Sequence, residues 1–209
     1  DAALVKAEEG ILTVKDTHGD QWLGGKDLDL ALVDKIFLPH LQSKFRINRI
    51  LSDPSKKEKI RNVLKEFAEE LKINLSFQPQ YSVLSNLGDL PFEDENGEEP
   101  EIDITLFATE LEPIFEPIFQ KAIDITKELL HRNNLKGSDL DTLILVGGPT
   151  LSPIFRKMIS EQITQKIDTS MDPMTIVAKG AALFASTLSV SEDVINANRD
   201  RSKIQLELK

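Results

Sequence analysis

Apolar and polar residues follow two different periods in the first half of the chain. Residues 2–7 and 11–15 are short runs of strand-forming residues separated by Glu8-Glu9-Gly10, which predicts a β-hairpin followed by a loop over residues 16–25. From Asp27 the period becomes helical, which predicts a long helix with one face packed inward. That face consists of Leu28, Leu32, Val33, Ile36, Phe37 and Leu41.

A second helical pattern begins after Asp53-Pro54 and ends near Lys72. Asp53 is a favoured N-cap residue type, and Pro54 suits the first helical position. The inward face consists of Ile60, Val63, Leu64, Phe67 and Leu71. Residues 75–87 and 101–108 then have strand patterns. Between them, residues 89–101 carry seven acidic side chains around an Asn-Gly pair, and we predict a solvated, mobile loop there.

A third helix is predicted after residue 108. Thr109 and Glu112 have the spacing of a capping box. Pro113 falls in the first turns, whereas Pro117 lies deeper, where we expect a kink or a restart of the helix. The apolar face consists of Leu111, Ile114, Phe115, Ile118, Phe119, Ala122 and Ile123.

The junction after residues 142–146 is the most informative feature of the chain. These residues form a continuous apolar run, typical of a buried parallel strand, and Gly147-Gly148-Pro149 follows directly before another helical pattern. Two glycines at a helix N-terminus leave backbone N–H groups open to a phosphate. A tight turn that needs glycine only for its backbone angles explains the same residues. The pair Gly24-Gly25 leaves the same two alternatives open.

The last helical pattern follows Asp172-Pro173, and Gly180 with the neighbouring alanines permits close packing against another element. Its periodic residues are Ile176, Val177, Ala181, Ala182 and Phe184. Residues 189–203 are polar and linker-like, and residues 204–208 alternate like the first strand of a truncated region. Because the chain opens with Asp1 and has no secretory pattern, we expect it to be part of a longer protein.

Composition narrows the class of function. With 209 residues and 40% apolar content, the chain can bury one substantial core or two modest ones. A net charge of -10 without a basic stripe disfavours nucleic-acid binding. The absence of cysteine excludes thiolate metal sites, and the three histidines are too far apart to suggest a metal cluster. The chain contains no run of 18 apolar residues, so we predict no membrane-spanning segment. We expect a cytoplasmic protein.

Three segments occur in an order that resembles one known family. They are Gly-Asp-Gln-Trp-Leu-Gly-Gly-Lys-Asp-Leu-Asp at 19–29, Leu-Ile-Leu-Val-Gly-Gly-Pro-Thr at 143–150 and Asp-Pro-Met-Thr-Ile-Val-Ala-Lys-Gly-Ala-Ala at 172–182. Together they resemble the DnaK-type heat-shock protein 70 family over about residues 1–190. The resemblance implies an α/β fold, namely the second lobe of an actin-like (ribonuclease H-like) ATPase with an inserted α+β cap subdomain. It divides the chain into a base of residues 1–24 plus 105–190, a cap of 25–104, and a linker with a truncated C-terminal region over 191–209.

The resemblance also implies a site for an adenine nucleotide. Gly147 and Gly148 match glycines beside the phosphates and ribose, and Gly24 and Gly25 match hinge glycines that face them. The residues matching adenosine contacts on the cap helix are Glu69, Lys72 and Ser76. Asp1 matches a carboxylate near the magnesium ion, although the Gly-Gly-Gly-Thr run that precedes it in the family is absent here.

Several positions depart from the family pattern. Ile73 and Leu151 occupy the positions of two arginines that hold the adenine, and Pro149 and Met174 replace polar residues. Aliphatic faces keep the dispersion contact but lose cation–π terms of about 0.5–2 kcal/mol each, which predicts weakened or altered nucleotide affinity. The alternative is that the aliphatic side chains simply fill core space.

The resemblance implies an ATP-binding chaperone whose full-length form holds ATP or ADP with Mg²⁺ and relays nucleotide state through residues 189–203. This chain alone would not hydrolyse ATP, because phosphoryl transfer needs the metal and both phosphate loops, and it needs no cofactor to fold. The expected partners are the missing first lobe and C-terminal region, unfolded clients, and a co-chaperone or exchange factor on the cap. One alternative is a binding or exchange-factor scaffold with little turnover. A sugar-kinase or cell-division relative is a further alternative, disfavoured by the cap and by residues 172–182.

Overall fold

The computed structural model describes residues 1–9 and 11–188, in which helices and strands alternate in mixed order as predicted. Strand β1 (Ala2–Glu8) pairs antiparallel with β2 (Ile11–His18), so the predicted hairpin is confirmed. The prediction of a loop from residue 16 was wrong for Asp16 to His18. Residues 16–18 continue the strand because they pair with residues 2–4 of β1, and Arg132 and Asn133 donate to the Asp16 carboxylate at 2.9 and 2.8 Å.

The predicted first helix is a continuous helical path. It comprises α1 (Gly25–Leu32), a π-helical turn (Val33–Phe37) and α2 (Leu38–Lys44). The predicted inward face is confirmed, because all its residues are buried except the half-buried Ile36. The π-helical turn ends just before Pro39, whose ring has no N–H to continue the α-helical ladder.

Helix α4 (Pro54–Leu75) follows a short unpredicted helix, α3 (Asn48–Leu51). The N-cap prediction is confirmed, because Asp53 accepts the backbone N–H groups of Ser55 and Lys56 at 2.9 and 3.2 Å. The helix continues past Lys72, since Leu75 is buried and adds another turn to the apolar face. Strands β3 (Gln80–Leu84) and β4 (Asp103–Phe107) then pair antiparallel.

The acidic segment between these strands is not simply solvated, and that prediction was wrong at Asp94. The buried Asp94 carboxylate accepts backbone N–H groups from Arg46, Asn96 and Glu98 at 3.1, 2.7 and 3.0 Å. Burial alone would raise the pKa of Asp94, but these backbone donors outweigh it and lower the pKa from its usual 3.8. The segment is therefore tied to the residues that precede α3.

A one-turn 3₁₀ helix (Ala108–Leu111) leads into α5 (Glu112–Arg132). The capping box predicted at Thr109 was wrong: the backbone N–H of Phe107 donates instead to Glu110, at 2.8 Å. Helix α5 contains Pro117 without a restart, on its exposed side. Its apolar face is buried, with Phe119 centred 5.0 Å from Phe155 of the following helix.

A second 3₁₀ turn (Gly137–Asp139) leads to the C-terminal elements. They are β5 (Leu143–Ile144), a third 3₁₀ turn (Gly148–Leu151), α6 (Pro153–Gln162), β6 (Ile167–Asp168) and α7 (Ile176–Thr187). Strand β5 pairs parallel with β6, as predicted, but the prediction of a fully buried run was wrong. Leu145 joins the core, whereas the flanking Ile144 and Val146 face solvent.

The expected packing of α7 was also wrong. No side chain of this helix is buried, and a Cβ added to Gly180 would meet no atom within 4 Å. The linker predicted at 189–203 and the strand at 204–208 lie outside the described residues. Among the helices described, none is both long and apolar enough to span a membrane.

Candidate functional site

The glycine turn after β5 is shaped by its first residue. Gly147 has φ +90°, in the left-handed region that strains other residues, and its N–H donates to the carbonyl of Pro173 at 2.9 Å. Thr150 closes the turn, because its hydroxyl donates to the Gly147 carbonyl at 2.7 Å. The turn-geometry explanation therefore applies to Gly147.

Gly148 is constrained in a different way, because its backbone angles are not in the left-handed region. A Cβ on Gly148 would lie 3.3 Å from the Met174 sulfur, closer than most contacts allow. The expectation that the glycines open directly into an α-helix was wrong. They open into the 3₁₀ turn Gly148–Leu151, and α6 begins only at Pro153. Any dipole at this point is that of a single short turn.

The second glycine pair begins α1. The N–H of Gly24 donates to the Asp27 carboxylate at 2.8 Å, which caps the helix. A Cβ on Gly25 would lie 3.5 Å from Pro149 and 3.6 Å from the ammonium of Lys72. Gly25 therefore marks the point where the start of α1, the end of α4 and the turn after β5 come together.

The Lys72 ammonium lies beside two oxygen atoms of α1. It is 2.5 Å from the Asp29 carboxylate and 3.5 Å from the Gly25 carbonyl. The side chains of Lys72 and Asp29 are only 14% and 3% exposed. Burial raises the pKa of Asp29, and the neighbouring Lys72 opposes this rise only in part. Sequence reasoning missed Asp29, since a polar residue between Leu28 and Leu30 gives no sign that it points inward.

The other predicted residues on α4 lie near its end. Glu69 is exposed. The Ser76 hydroxyl donates to the Lys72 carbonyl at 2.9 Å, so its proton already takes part in a hydrogen bond at the end of α4. Ile73 and Met174 are 50% and 63% exposed. The alternative that these two side chains fill the core is therefore wrong. Leu151 is half-buried.

Contacts connect part of the predicted site and leave one residue apart. Neighbouring atoms link Lys72 to Gly25, Gly25 to Pro149, and Gly148 to Met174. Asp1 instead packs against Gly19 and lines a surface depression with His18. Within residues 1–9 and 11–188, no group of three or more His, Asp or Glu side chains has a metal-binding arrangement.

Comparison with known proteins decides the family. The sequence model described as Hsp70 protein matches residues 1–198. The chain belongs to the Hsp70 family. This Hsp70-family chain is 29% identical to the chaperone protein DnaK of Nitrosopumilus maritimus (strain SCM1) over 199 residues, which cover 93% of the chain and 30% of that relative.

Two further relatives of the Hsp70-family chain carry the same description. The chaperone protein DnaK of Elusimicrobium minutum (strain Pei191) is 32% identical over 87% of the chain and 28% of its own length. That of Methanothermobacter thermautotrophicus (strain ATCC 29096 / DSM 1053 / JCM 10044 / NBRC 100330 / Delta H) is 30% identical over 90% of the chain and 30% of its own length. The chain thus spans about 30% of the length of the curated relatives it matches.

Proposed function

We propose that this chain is the nucleotide-holding second lobe of the actin-like ATPase domain in a DnaK-type chaperone. The observation that carries the proposal is the meeting of Gly25, Lys72 and Pro149, with Gly148 against Met174. These residues come from four separate parts of the sequence and match family positions around one ligand. Membership of the Hsp70 family supports the same reading.

An adenine nucleotide fits the chemistry of these residues. The missing Cβ atoms at Gly25 and Gly148 let Lys72, Pro149 and Met174 pack closely against the backbone, whereas a Cβ at Gly24 would meet no atom within 4 Å, so the backbone there is open to a ligand. The Lys72 ammonium supplies positive charge for an anionic or hydroxylated group, and the exposed faces of Ile73 and Met174 can cover an apolar base. When bound, the nucleotide would supply the phosphoryl group, and these residues would hold and orient it.

The proposed arrangement has a base of residues 1–24 plus 105–190 and a cap of 25–104, with residues 191–209 as linker and start of a C-terminal region. Mg²⁺ and the remaining phosphate contacts, including any role of Asp1, would depend on a first lobe outside this chain. Full-length ATP turnover, unfolded clients, a co-chaperone or exchange factor on the cap and a cytoplasmic location belong to the same proposal.

A second function has one specific observation in its favour. Ile73 and Leu151 stand where the family resemblance places adenine-holding arginines, and the side chain of Ile73 is half exposed. A protein with aliphatic residues at both positions would bind nucleotide weakly and could act as a chaperone-like binding or exchange-factor scaffold. Protease protection of residues 189–203 in the full-length protein by millimolar ATP, with steady turnover, favours the ATPase. Absence of that protection favours the scaffold.

The test of the site is ADP binding to the full-length protein, measured by isothermal titration calorimetry with Mg²⁺ present. Gly148→Val adds a branched side chain at the Met174 contact, and we expect at least tenfold weaker binding. Gly180→Val is the matched control, because a Cβ at Gly180 meets no atom within 4 Å on α7. Equal affinity of the Gly148→Val variant and the unmodified protein, or no binding by the unmodified protein, would contradict the proposal.

A further inference from the structure

Two ion pairs join the helical segment 25–37 to α4, and they differ in burial and in position. Asp29 pairs with Lys72 beside Gly25, with both side chains largely buried. Asp34 pairs with Arg61 at 2.8 Å, with the carboxylate exposed. Arg61 and Lys72 are separated by about 16 Å along the axis of α4, so only the Asp29 pair lies at the candidate site.

The position of the Lys72 ammonium depends on Asp29. A lysine side chain has a flexible four-carbon stem and a strongly hydrated charge, which by itself favours extension into water. Here the ammonium is turned back against α1, where the Asp29 carboxylate and the Gly25 carbonyl are its oxygen neighbours. The approach to the carboxylate oxygen is short but outside good hydrogen-bond alignment, since no aligned donor reaches that oxygen. The contact is therefore primarily ionic.

We infer that Asp29 is a positioning residue for nucleotide binding, acting through Lys72. This inference rests on the proposed function. The buried carboxylate holds the ammonium between the end of α4 and the start of α1, and of its three donors only one has an aligned partner, the Gly25 carbonyl, which leaves donors for a polar group of the nucleotide. Fixing the lysine before the ligand arrives lowers the ordering cost of binding.

The same pair links the nucleotide to the packing of two helices. Leu28 and Leu32 of α1 and Leu64 and Leu71 of α4 are fully or nearly fully buried in the same core, so the two helices have little freedom to shift. Lys72 lies at the edge of this core, with its tip at Gly25. A ligand that contacts Lys72 therefore contacts a group fixed by both helices.

A double-mutant cycle in the full-length protein tests the inference, with Mg-ADP affinity measured by calorimetry. We expect about fivefold weaker binding for Asp29→Asn and about tenfold weaker binding for Lys72→Met. Once Lys72 is absent, Asp29 has nothing to position, so Asp29→Asn/Lys72→Met should bind like Lys72→Met alone. Asp34→Asn, which removes the exposed pair between the same segments, should leave the affinity unchanged.

Two outcomes overturn this inference and leave the proposed function intact. In the first, Asp29→Asn binds ADP like the unmodified protein; in the second, Asp29→Asn weakens binding equally with and without Lys72. Failure of the unmodified protein to bind ADP removes the proposed function and this inference together. If thermal unfolding shows that Asp29→Asn is not folded, Asp29→Leu/Lys72→Met is compared with Lys72→Met, since the double variant removes both buried charges. Equal affinities are expected, and a weaker double variant overturns the inference.

Discussion

Helices α4 and α7 have similarly clear apolar patterns but opposite environments. The inward face of α4 lies in the core against α1 and β3, whereas Leu183 and Phe184 of α7 remain 70% and 67% exposed. The two helices differ in where they are held. Helix α4 is packed along its length, while the segment leading to α7 is anchored near Gly147 and Gly148. An apolar period thus identifies a face for packing but does not identify what covers it.

Core truncation should separate the two helices most strongly. Leu71→Ala removes a fully buried side chain of α4, and we expect a loss of about 2–5 kcal/mol in the free energy of unfolding. Leu183→Ala on α7 should change it by less than about 0.5 kcal/mol. Urea unfolding of the 209-residue chain measures both. Equal losses would mean that α7 packs as firmly as α4.

Ile73 is the exception on α4, because it is an exposed aliphatic residue at the candidate site. Ile73→Arg restores a guanidinium for stacking on the base, and we expect Mg-ADP affinity of the full-length protein to rise by about 0.5–2 kcal/mol. Val177→Arg adds the same positive charge on the exposed helix α7 and is the control. Ile50→Arg would not serve as the control, because Ile50 packs on the core. An equal gain from both variants would indicate nonspecific attraction of the anion.

The N-terminal ends of the two helices should also differ. Asp53→Ala removes the side chain that accepts two N–H groups of α4, and we expect a loss of about 1 kcal/mol in unfolding free energy. Thr175 precedes α7 without capping it through its side chain, so Thr175→Ala should cost less than about 0.5 kcal/mol. Chemical denaturation of both variants makes the comparison. Equal losses would contradict the cap assignment.

Two buried carboxylates, Asp29 of α1 and Asp94 of the acidic segment, should respond to pH with opposite signs. Asp94 has a lowered pKa, so its stabilising contribution is present above its usual 3.8 and is lost as pH falls toward the folded-state value. Asp29 has a raised pKa, so the folded chain binds its proton more readily and gains stability as pH falls through that value. Between pH 7 and 3, the stability difference from Asp94→Asn should shrink, whereas that from Asp29→Asn should move in favour of the unmodified chain. The same sign for both would contradict these assignments.

The sequence patterns predicted those parts of the fold that depend on residues close together in the chain. The Asp53 cap and the buried face of α1 follow from residues within a few positions of each other. The end of β2 and the environment of Asp94 were missed because their partners, Arg132 and Arg46, are distant in sequence. No local pattern contains those contacts.

The candidate site was predicted through family resemblance rather than through periodicity. That resemblance selected Gly25, Lys72 and Pro149, which the fold places side by side. It did not select Asp29, whose importance depends on burial and on a lysine from another helix. Asp1, which it did select, lies against Gly19 instead of joining the contacts around Gly25.

Hydrogen exchange of the full-length protein with and without saturating Mg-ADP is the most direct test that three separate segments form one nucleotide site. We expect ADP to slow amide exchange together in residues 24–27, 69–76 and 147–151, with little change in residues 89–101. Protection confined to one of the three segments, or no protection in any of them, would contradict a shared site.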